Sequence, residues 1–137
     1  MKKIIGASLL AGFLMVVVSF VFSILMGLIF PQIPKEYANA NIFRSWSDPL
    51  MYLFFICPFI TSFIFALLWE KHKNLLPGKT AYQKVFKLVM IYFIFSVLGM
   101  IITYSTFQVS LLMTVDWIIS VFLQSIVGTW IISKMIK

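Results

Sequence analysis

The chain has 137 residues, of which 62% are hydrophobic and only 11% are charged. Soluble domains are roughly half apolar and about a quarter charged, so this composition excludes a water-soluble globule. The length allows one domain and no soluble catalytic module beside the apolar segments. The net charge of +7 comes from basic residues between apolar runs, which favours anionic lipid headgroups as the partner and not nucleic acid.

Four apolar segments are each long enough to cross a bilayer, for which a helix needs about 20 residues. The first, residues 4–30, is longer than the ~7–15-residue apolar region of a cleavable signal peptide, so we expect it in the mature protein. The others are residues 49–69, 82–104 and 109–133. The sequence therefore predicts an all-α fold, a single four-helix transmembrane domain over residues 1–137 within the lipid bilayer.

The second span carries two local signals. Asp48 followed by Pro49 suits a helix start, because aspartate caps free backbone donors and proline fits the first turn. Pro58 lacks a backbone N–H and predicts a kink, after which Thr61 and Ser62 can bond to the carbonyls left free.

The third span begins with a capping signal and ends in a polar turn. Thr80 with Gln83 three residues later resembles a capping box, so the helix should start at Thr80. Residues 103–110 are polar and uncharged, which predicts a tight turn outside the membrane before the fourth helix.

Basic residues are divided unevenly between the two sides of such a bundle. Nine lysines fall on one side, and only Lys35 and Arg44 fall on the other. Positive residues mark the cytoplasmic side, so we expect both termini in the cytoplasm and the chain in the cell membrane, inner or plasma. The nine are Lys2, Lys3, Lys71, Lys73, Lys79, Lys84, Lys87, Lys134 and Lys137.

The fourth span holds Asp116, the only acidic residue within the four spans. Ser120, Gln124 and Gly128 follow at four-residue spacing and share one helix face with it. A carboxylate at mid-membrane costs several kcal/mol unless it is paired, hydrated or protonated. Asp116, Ser120 and Gln124 are therefore the candidate intramembrane polar site. Two roles stay open for Asp116: an interfacial ion pair with Arg44, and a proton or cation site.

The first span carries a ridge of small residues along one side. Small side chains allow a neighbouring backbone to approach, since helices in lipid associate mainly through packing. We expect the ridge to be a helix-packing surface, with a subunit interface or a narrow pathway as the functional alternative. Its members are Ser8, Gly12, Ser19, Ser23 and Gly27.

The remaining reactive side chains form no catalytic or metal-binding set. Cys57 is the only cysteine, so an intramolecular disulfide or a cysteine cluster is excluded, and we expect a small buried hydrophobic residue there. His72 lies between lysines and has no second ligand or base. The sequence therefore predicts no enzyme, no metal and no cofactor.

The connector between the first two spans combines aromatic, amide and basic groups within ten residues. This composition suits a partner surface or a lid over the outer mouth, and equally a loop that rests on lipid headgroups. The residues concerned are Tyr37, Asn39, Asn41, Phe43, Arg44 and Trp46.

The run Thr103-Tyr104-Ser105-Thr106-Phe107 resembles the Thr-Thr-Phe-Ser-Thr-Phe signature of the small four-helix fluoride channels, which are dual-topology dimers of similar length. In that family the motif breaks the third helix and its aromatics line the ion path, which by resemblance implicates Tyr104 and Phe107. The match covers five residues. The first helix lacks the family's Gly-Gly and Arg signature, the second lacks its polar asparagine, and the lysine distribution opposes dual insertion. We therefore do not assign the chain to that family.

Four short helices enclose little volume, so a substrate pathway would require a homo-oligomer or a larger membrane complex. The sequence predicts first a non-enzymatic accessory or scaffold subunit of a membrane assembly. The alternative is a small oligomeric transporter or ion channel that uses Asp116, Ser120 and Gln124.

Overall fold

The computed structural model describes residues 1–136. Over this range the fold is all-α, with helices α1 (Lys2–Ile29), α2 (Gln32–Tyr37), α3 (Tyr52–His72), α4 (Ala81–Thr106) and α5 (Leu111–Met135). A 3₁₀ turn, Pro49–Met51, leads into α3. Helices α1, α4 and α5, and α3 together with its leading turn, are long and apolar enough to cross a membrane. The predicted all-helical fold with four long apolar helices is confirmed.

Two of the predicted helix starts are formed by the expected side chains. Asp48 accepts a hydrogen bond from the Leu50 amide, Oδ1 to N 2.9 Å, although this cap closes the 3₁₀ turn before α3 begins. Thr80 and Gln83 form a complete capping box at the start of α4. Short side-chain caps thus fix the entry of the second and third long helices.

Helix α2 lies in the connector, where the sequence predicted only a loop. Its six residues are too few for an isolated helix to be stable in water, so packing must hold it. Ile33, its second residue, is 3% exposed and packs with Val109 and Met113 around the start of α5. The connector is therefore folded onto the start of α5.

Helices α1 and α5 form the centre of the bundle, with α3 against α1 and α4 against α5. Glycines make the two central approaches possible. A Cβ on Gly12 would lie 2.9 Å from the Cα of Phe59 in α3, and a Cβ on Gly128 would lie 2.6 Å from the Sδ of Met15 in α1. A side chain at residue 12 would push α1 and α3 apart, whereas one at residue 128 would force the Met15 side chain to move.

The ridge of small residues on α1 is buried over its first half only. Ser8 and Gly12 are buried, while Ser19 and Gly27 are partly buried, the latter beside Pro34. Ser23 is exposed. Near the start of α1 the ridge therefore packs against α3, through Ser8 and Gly12.

Ser62 links α3 to α1 and does not repair the backbone at Pro58. Its hydroxyl lies 2.7 Å from the carbonyl oxygen of Ser8, to which it donates, and 2.9 Å from that of Phe59. The carbonyl that Pro58 leaves without its usual donor is that of Phe54, so the predicted repair by Ser62 is wrong. A buried interhelical hydrogen bond takes its place.

The bundle has two different ends. At the basic end, which carries the described lysines other than Lys35, the start of α1 meets the end of α5, and the buried Trp69 indole donates to the Ile136 carbonyl, 2.9 Å. The distal end carries α2, the connector and three of the four acidic residues, Glu36, Asp48 and Asp116. The charge asymmetry predicted from the sequence thus coincides with two structurally distinct ends.

Candidate functional site

Asp116 lies near the start of α5 and is almost completely buried, with 4% of its surface exposed. Within residues 1–136 its Oδ1 atom has no hydrogen-bond partner. An isolated buried carboxylate is costly in a low-dielectric environment, and it is retained where something compensates it or uses it. The structure therefore makes Asp116 the least satisfied group at the distal end.

Helix α2 covers this part of α5 through two polar contacts. Glu36 accepts a hydrogen bond from the Ser110 amide, Oε1 to N 2.6 Å, and Ser110 in turn caps α5 by accepting from Met113. A carboxylate at this position also complements the positive end of the helix dipole. The Trp117 indole N–H donates to the Tyr37 hydroxyl.

Three aromatic rings close the contact between the connector and α5. The Tyr37, Phe43 and Trp117 rings have centroids 5.2, 6.2 and 6.4 Å apart, in tilted or edge-to-face pairs of the favoured kind. Burial raises the pKa of the Tyr37 hydroxyl, the bond from Trp117 opposes this shift, and the charges of Asp116 and Glu36 add to it. Tyr37 thus lies within the electrostatic field of Asp116.

The predicted ion pair between Arg44 and Asp116 is not formed among the described residues. Arg44 pairs instead with Asp48, Nη1 to Oδ2 2.9 Å, at an exposed position. The Leu50 amide and the Arg44 guanidinium lower the pKa of Asp48. Asp48 lies only four residues after Arg44 and is within reach of its guanidinium. Asp116 lies near the start of α5, over which the connector is folded.

A second polar feature is a cleft among α1, α3, α4 and α5, which we call the lateral cleft. Its volume is about 180 Å³, and it is open on one side. Pro58, at the predicted kink, and Cys57 are both part of its wall. The sequence predicted a buried Cys57, but this residue is exposed. Its polar lining consists of Ser19, Cys57, Thr61, Tyr92, Gln124 and Ser125.

Several polar atoms in this lining have unused hydrogen-bonding capacity. Gln124 donates to Ser120, Nε2 to Oγ 2.9 Å, but its Oε1 accepts no hydrogen bond from the described part of the chain. The hydroxyls of Ser19, Thr61 and Tyr92 also make no hydrogen bond with residues 1–136. A polar group facing hydrocarbon is costly, so these atoms favour contact with water or with a partner's polar group when the helices are in lipid.

The three residues predicted to form one polar site are divided between two places. Ser120 and Gln124 contact each other, and Gln124 lines the lateral cleft, whereas Asp116 lies at the start of α5 near Tyr37. Sequence reasoning missed Thr61 and Tyr92 as cleft residues, although the kink at Pro58 marked the region. His72 is exposed at the end of α3, and no group of three His, Cys, Asp or Glu side chains suited to a metal occurs in residues 1–136.

Residues 103–107 follow a different course from the fluoride-channel motif that they resemble. Helix α4 continues without a break to Thr106, and the exposed Tyr104 and Phe107 line neither the lateral cleft nor any other cavity described here.

Comparisons of the chain with protein-family models, curated proteins and solved structures give no match.

Proposed function

We propose that the chain is a non-enzymatic multi-pass membrane protein that acts as an accessory or scaffold subunit of a larger membrane assembly. Its lateral cleft would receive one transmembrane helix of a partner protein. The supporting observation is the group of unsatisfied polar side chains, Ser19, Thr61, Tyr92 and Gln124, that line a partly open cleft. Hydrogen bonds between helices are a common use of such side chains in membranes.

The size of the lateral cleft supports a helix side chain as its occupant. Sites for small organic ligands usually measure about 300–1,000 Å³. The cleft has about 180 Å³ and an open wall, dimensions that suit one or two side chains projecting from an adjacent helix. A solute carrier would need a larger space, supplied by further copies.

The division of the polar residues also favours the accessory role over transport. An ion pathway along α5 would use Asp116, Ser120 and Gln124 in succession. Asp116 lies instead at the distal end beside the aromatic contact of α2, away from the lining of the lateral cleft. The oligomeric transporter or channel is therefore the second candidate, supported by Gln124 and Ser120 alone.

We further propose that the basic end faces the cytoplasm and that the chain lies in the cell membrane. The support is the concentration of lysines at the end where α1 starts and α5 finishes, in agreement with the positive-inside rule. Anionic headgroups of the cytoplasmic leaflet would then surround that end. A membrane-impermeant label should reach a cysteine introduced by Ala40→Cys from outside intact cells, whereas labelling of His72→Cys from outside would reverse this orientation.

Photo-crosslinking in the membranes of the producing cell tests the accessory role. A benzophenone amino acid replaces Thr61 in the lateral cleft, and in the control it replaces Ile94, which is 56% exposed on α4. We expect one discrete protein adduct from position 61 and none from position 94. The adduct should disappear with Gln124→Leu and persist with Gln108→Leu, a matched change outside the cleft.

Three results would reject the accessory role. Equal adducts from both positions would mean that the cleft selects no helix. An adduct consisting only of a second copy of this chain would point to a homo-oligomer. Ion flux in liposomes of the purified chain that is lost with Gln124→Leu would favour the transport alternative.

A further inference from the structure

The basic end contains a shallow surface depression, which we call the basic pocket. It has a volume of about 320 Å³ and lies where the end of α3, the α3–α4 connector, the start of α4 and the end of α5 meet. Its wall combines three lysines with neutral polar and apolar groups. The lining residues are Trp69, Lys73, Asn74, Lys79, Thr80, Ala81, Lys84, Ser133 and Ile136.

The lysines of the basic pocket are positioned by the surrounding fold. The Lys79 amide donates to Gln83, N to Oε1 2.7 Å, within the capping box that starts α4. Gly78 adopts a positive φ of 149°, which a side chain would strain, and so sets the turn into this segment. Lys84 donates to the Lys73 carbonyl, Nζ to O 2.7 Å. The pocket is thus built from a fixed turn and not from freely moving side chains alone.

Within residues 1–136 the side chains around the pocket carry more positive than negative charge. Lys73 pairs with Glu70, Nζ to Oε2 3.2 Å, and Glu70 is the only acidic side chain at this end among residues 1–136. The Lys79 ammonium makes no hydrogen bond or ion pair with residues 1–136. Lys84 uses only one of its three N–H donors on the Lys73 carbonyl. A group with one or two negative charges and several acceptor oxygens would complement this arrangement.

We infer that the basic pocket binds the phosphate group of an anionic phospholipid. Basic pockets at the cytoplasmic ends of transmembrane helices recognise such headgroups. Tyr82 and Phe86, on the first turns of α4 at the same end of the bundle, are 64% and 51% exposed. The inference rests on the proposed membrane location, and it is independent of the partner helix in the lateral cleft.

Native mass spectrometry of the purified full chain tests this site. Phosphatidylglycerol is titrated against Lys79→Gln/Lys84→Gln and against a control pair, Lys2→Gln/Lys3→Gln, which removes the same charge from the same end outside the pocket. Since each lysine near an anionic lipid contributes on the order of 1 kcal/mol, we expect binding to weaken about tenfold or more in the pocket pair. The control pair should change it less than about twofold, and phosphatidylcholine should bind neither form.

Several outcomes would overturn the inference. Equal losses in the two pairs would mean a diffuse attraction without a site. Binding of inorganic phosphate alone, at the same concentration and with the same lysine dependence, would identify a free anion as the ligand. Because Lys84 also holds the Lys73 backbone, the single Lys79→Gln variant repeats the test, with far-UV circular dichroism as the check on folding. A negative result here would leave the crosslink from position 61 unaffected, so the two proposals fail separately.

Discussion

Gly12 of α1 lies against the backbone of Phe59 in α3, so closely that a Cβ atom on residue 12 would stand 2.6 Å from the Phe59 ring and 2.9 Å from its Cα. No side-chain rotation can relieve a contact with a Cα atom. The α1–α3 pairing therefore depends on the absence of a side chain at residue 12. The nearby bond from Ser62 to the Ser8 carbonyl depends on the same close approach.

Gly12→Ala should destabilise the bundle by about 1–3 kcal/mol, because overpacking forces two helix backbones apart. The matched control is Gly6→Ala on the same helix, where nothing lies within 4 Å of the added atom. Reversible unfolding in mixed detergent, followed by circular dichroism, measures both variants. Equal stability of the two variants would contradict the close α1–α3 contact.

Tyr37→Phe should loosen α2 from α5, since it leaves the Trp117 indole without its acceptor. A partly buried donor that loses its partner costs about 1–3 kcal/mol. Hydrogen exchange of the α2 amides should accelerate in this variant while that of α1 stays unchanged. Tyr52→Phe, which alters a ring that is 71% exposed, is the control and should leave α2 protected.

The same contact should fail at alkaline pH. The pKa of Tyr37 is raised in the folded chain, mainly by burial, so the folded state holds the phenolic proton more tightly than the unfolded state. The contribution of the protonated Tyr37 hydroxyl to stability is complete below the ordinary tyrosine pKa of 10.0. It is lost as the pH rises through the higher pKa of Tyr37 in the folded chain. Tryptophan fluorescence should report this alkaline step in the parent chain. Persistence of the step in Tyr37→Phe would assign it to another group.

Arg44→Gln and Asp116→Asn should act independently on stability, because Arg44 pairs with Asp48. Effects of residues without shared partners add to within about 0.5 kcal/mol. Asp116→Asn alone should fold with an unchanged or higher melting temperature, since the carboxylate has no hydrogen bond at Oδ1 to lose within residues 1–136. A coupling energy clearly above about 0.5 kcal/mol in the double-mutant cycle would instead support the ion pair between Arg44 and Asp116 that the sequence suggested.

The long helices were predictable because their signal is strong and local. An apolar run such as residues 4–30 predicts a membrane helix without any knowledge of the helices that pack against it. The Thr80–Gln83 capping box was predictable for the same reason, since both partners lie three residues apart. Helix α2 was not predictable, because Ile33 and Glu36 are held by residues that lie more than seventy positions away, as the Glu36–Ser110 contact illustrates.

The polar site was only half predictable, because residues spaced four apart do not stay on one face of an α-helix with 3.6 residues per turn. Each step of four residues rotates by about 40°, so the three steps from Gly128 back to Asp116 accumulate about 120°. Gly128 faces Met15 in α1, whereas Asp116 has rotated to the side that carries the Tyr37 contact. The lateral cleft also needs residues from four helices, whose proximity no local pattern indicates.

Whether the lateral cleft holds a helix or water is tested most directly by the reactivity of Cys57, the only cysteine of the chain and part of the cleft wall. A charged, water-soluble maleimide is applied to open membrane fragments of the producing cell, with His72→Cys in a Cys57→Ala chain as the accessible control. We predict that Cys57 stays unlabelled while position 72 reacts. Labelling of Cys57 at a rate comparable to that of position 72 would reveal an aqueous path and contradict the accessory role.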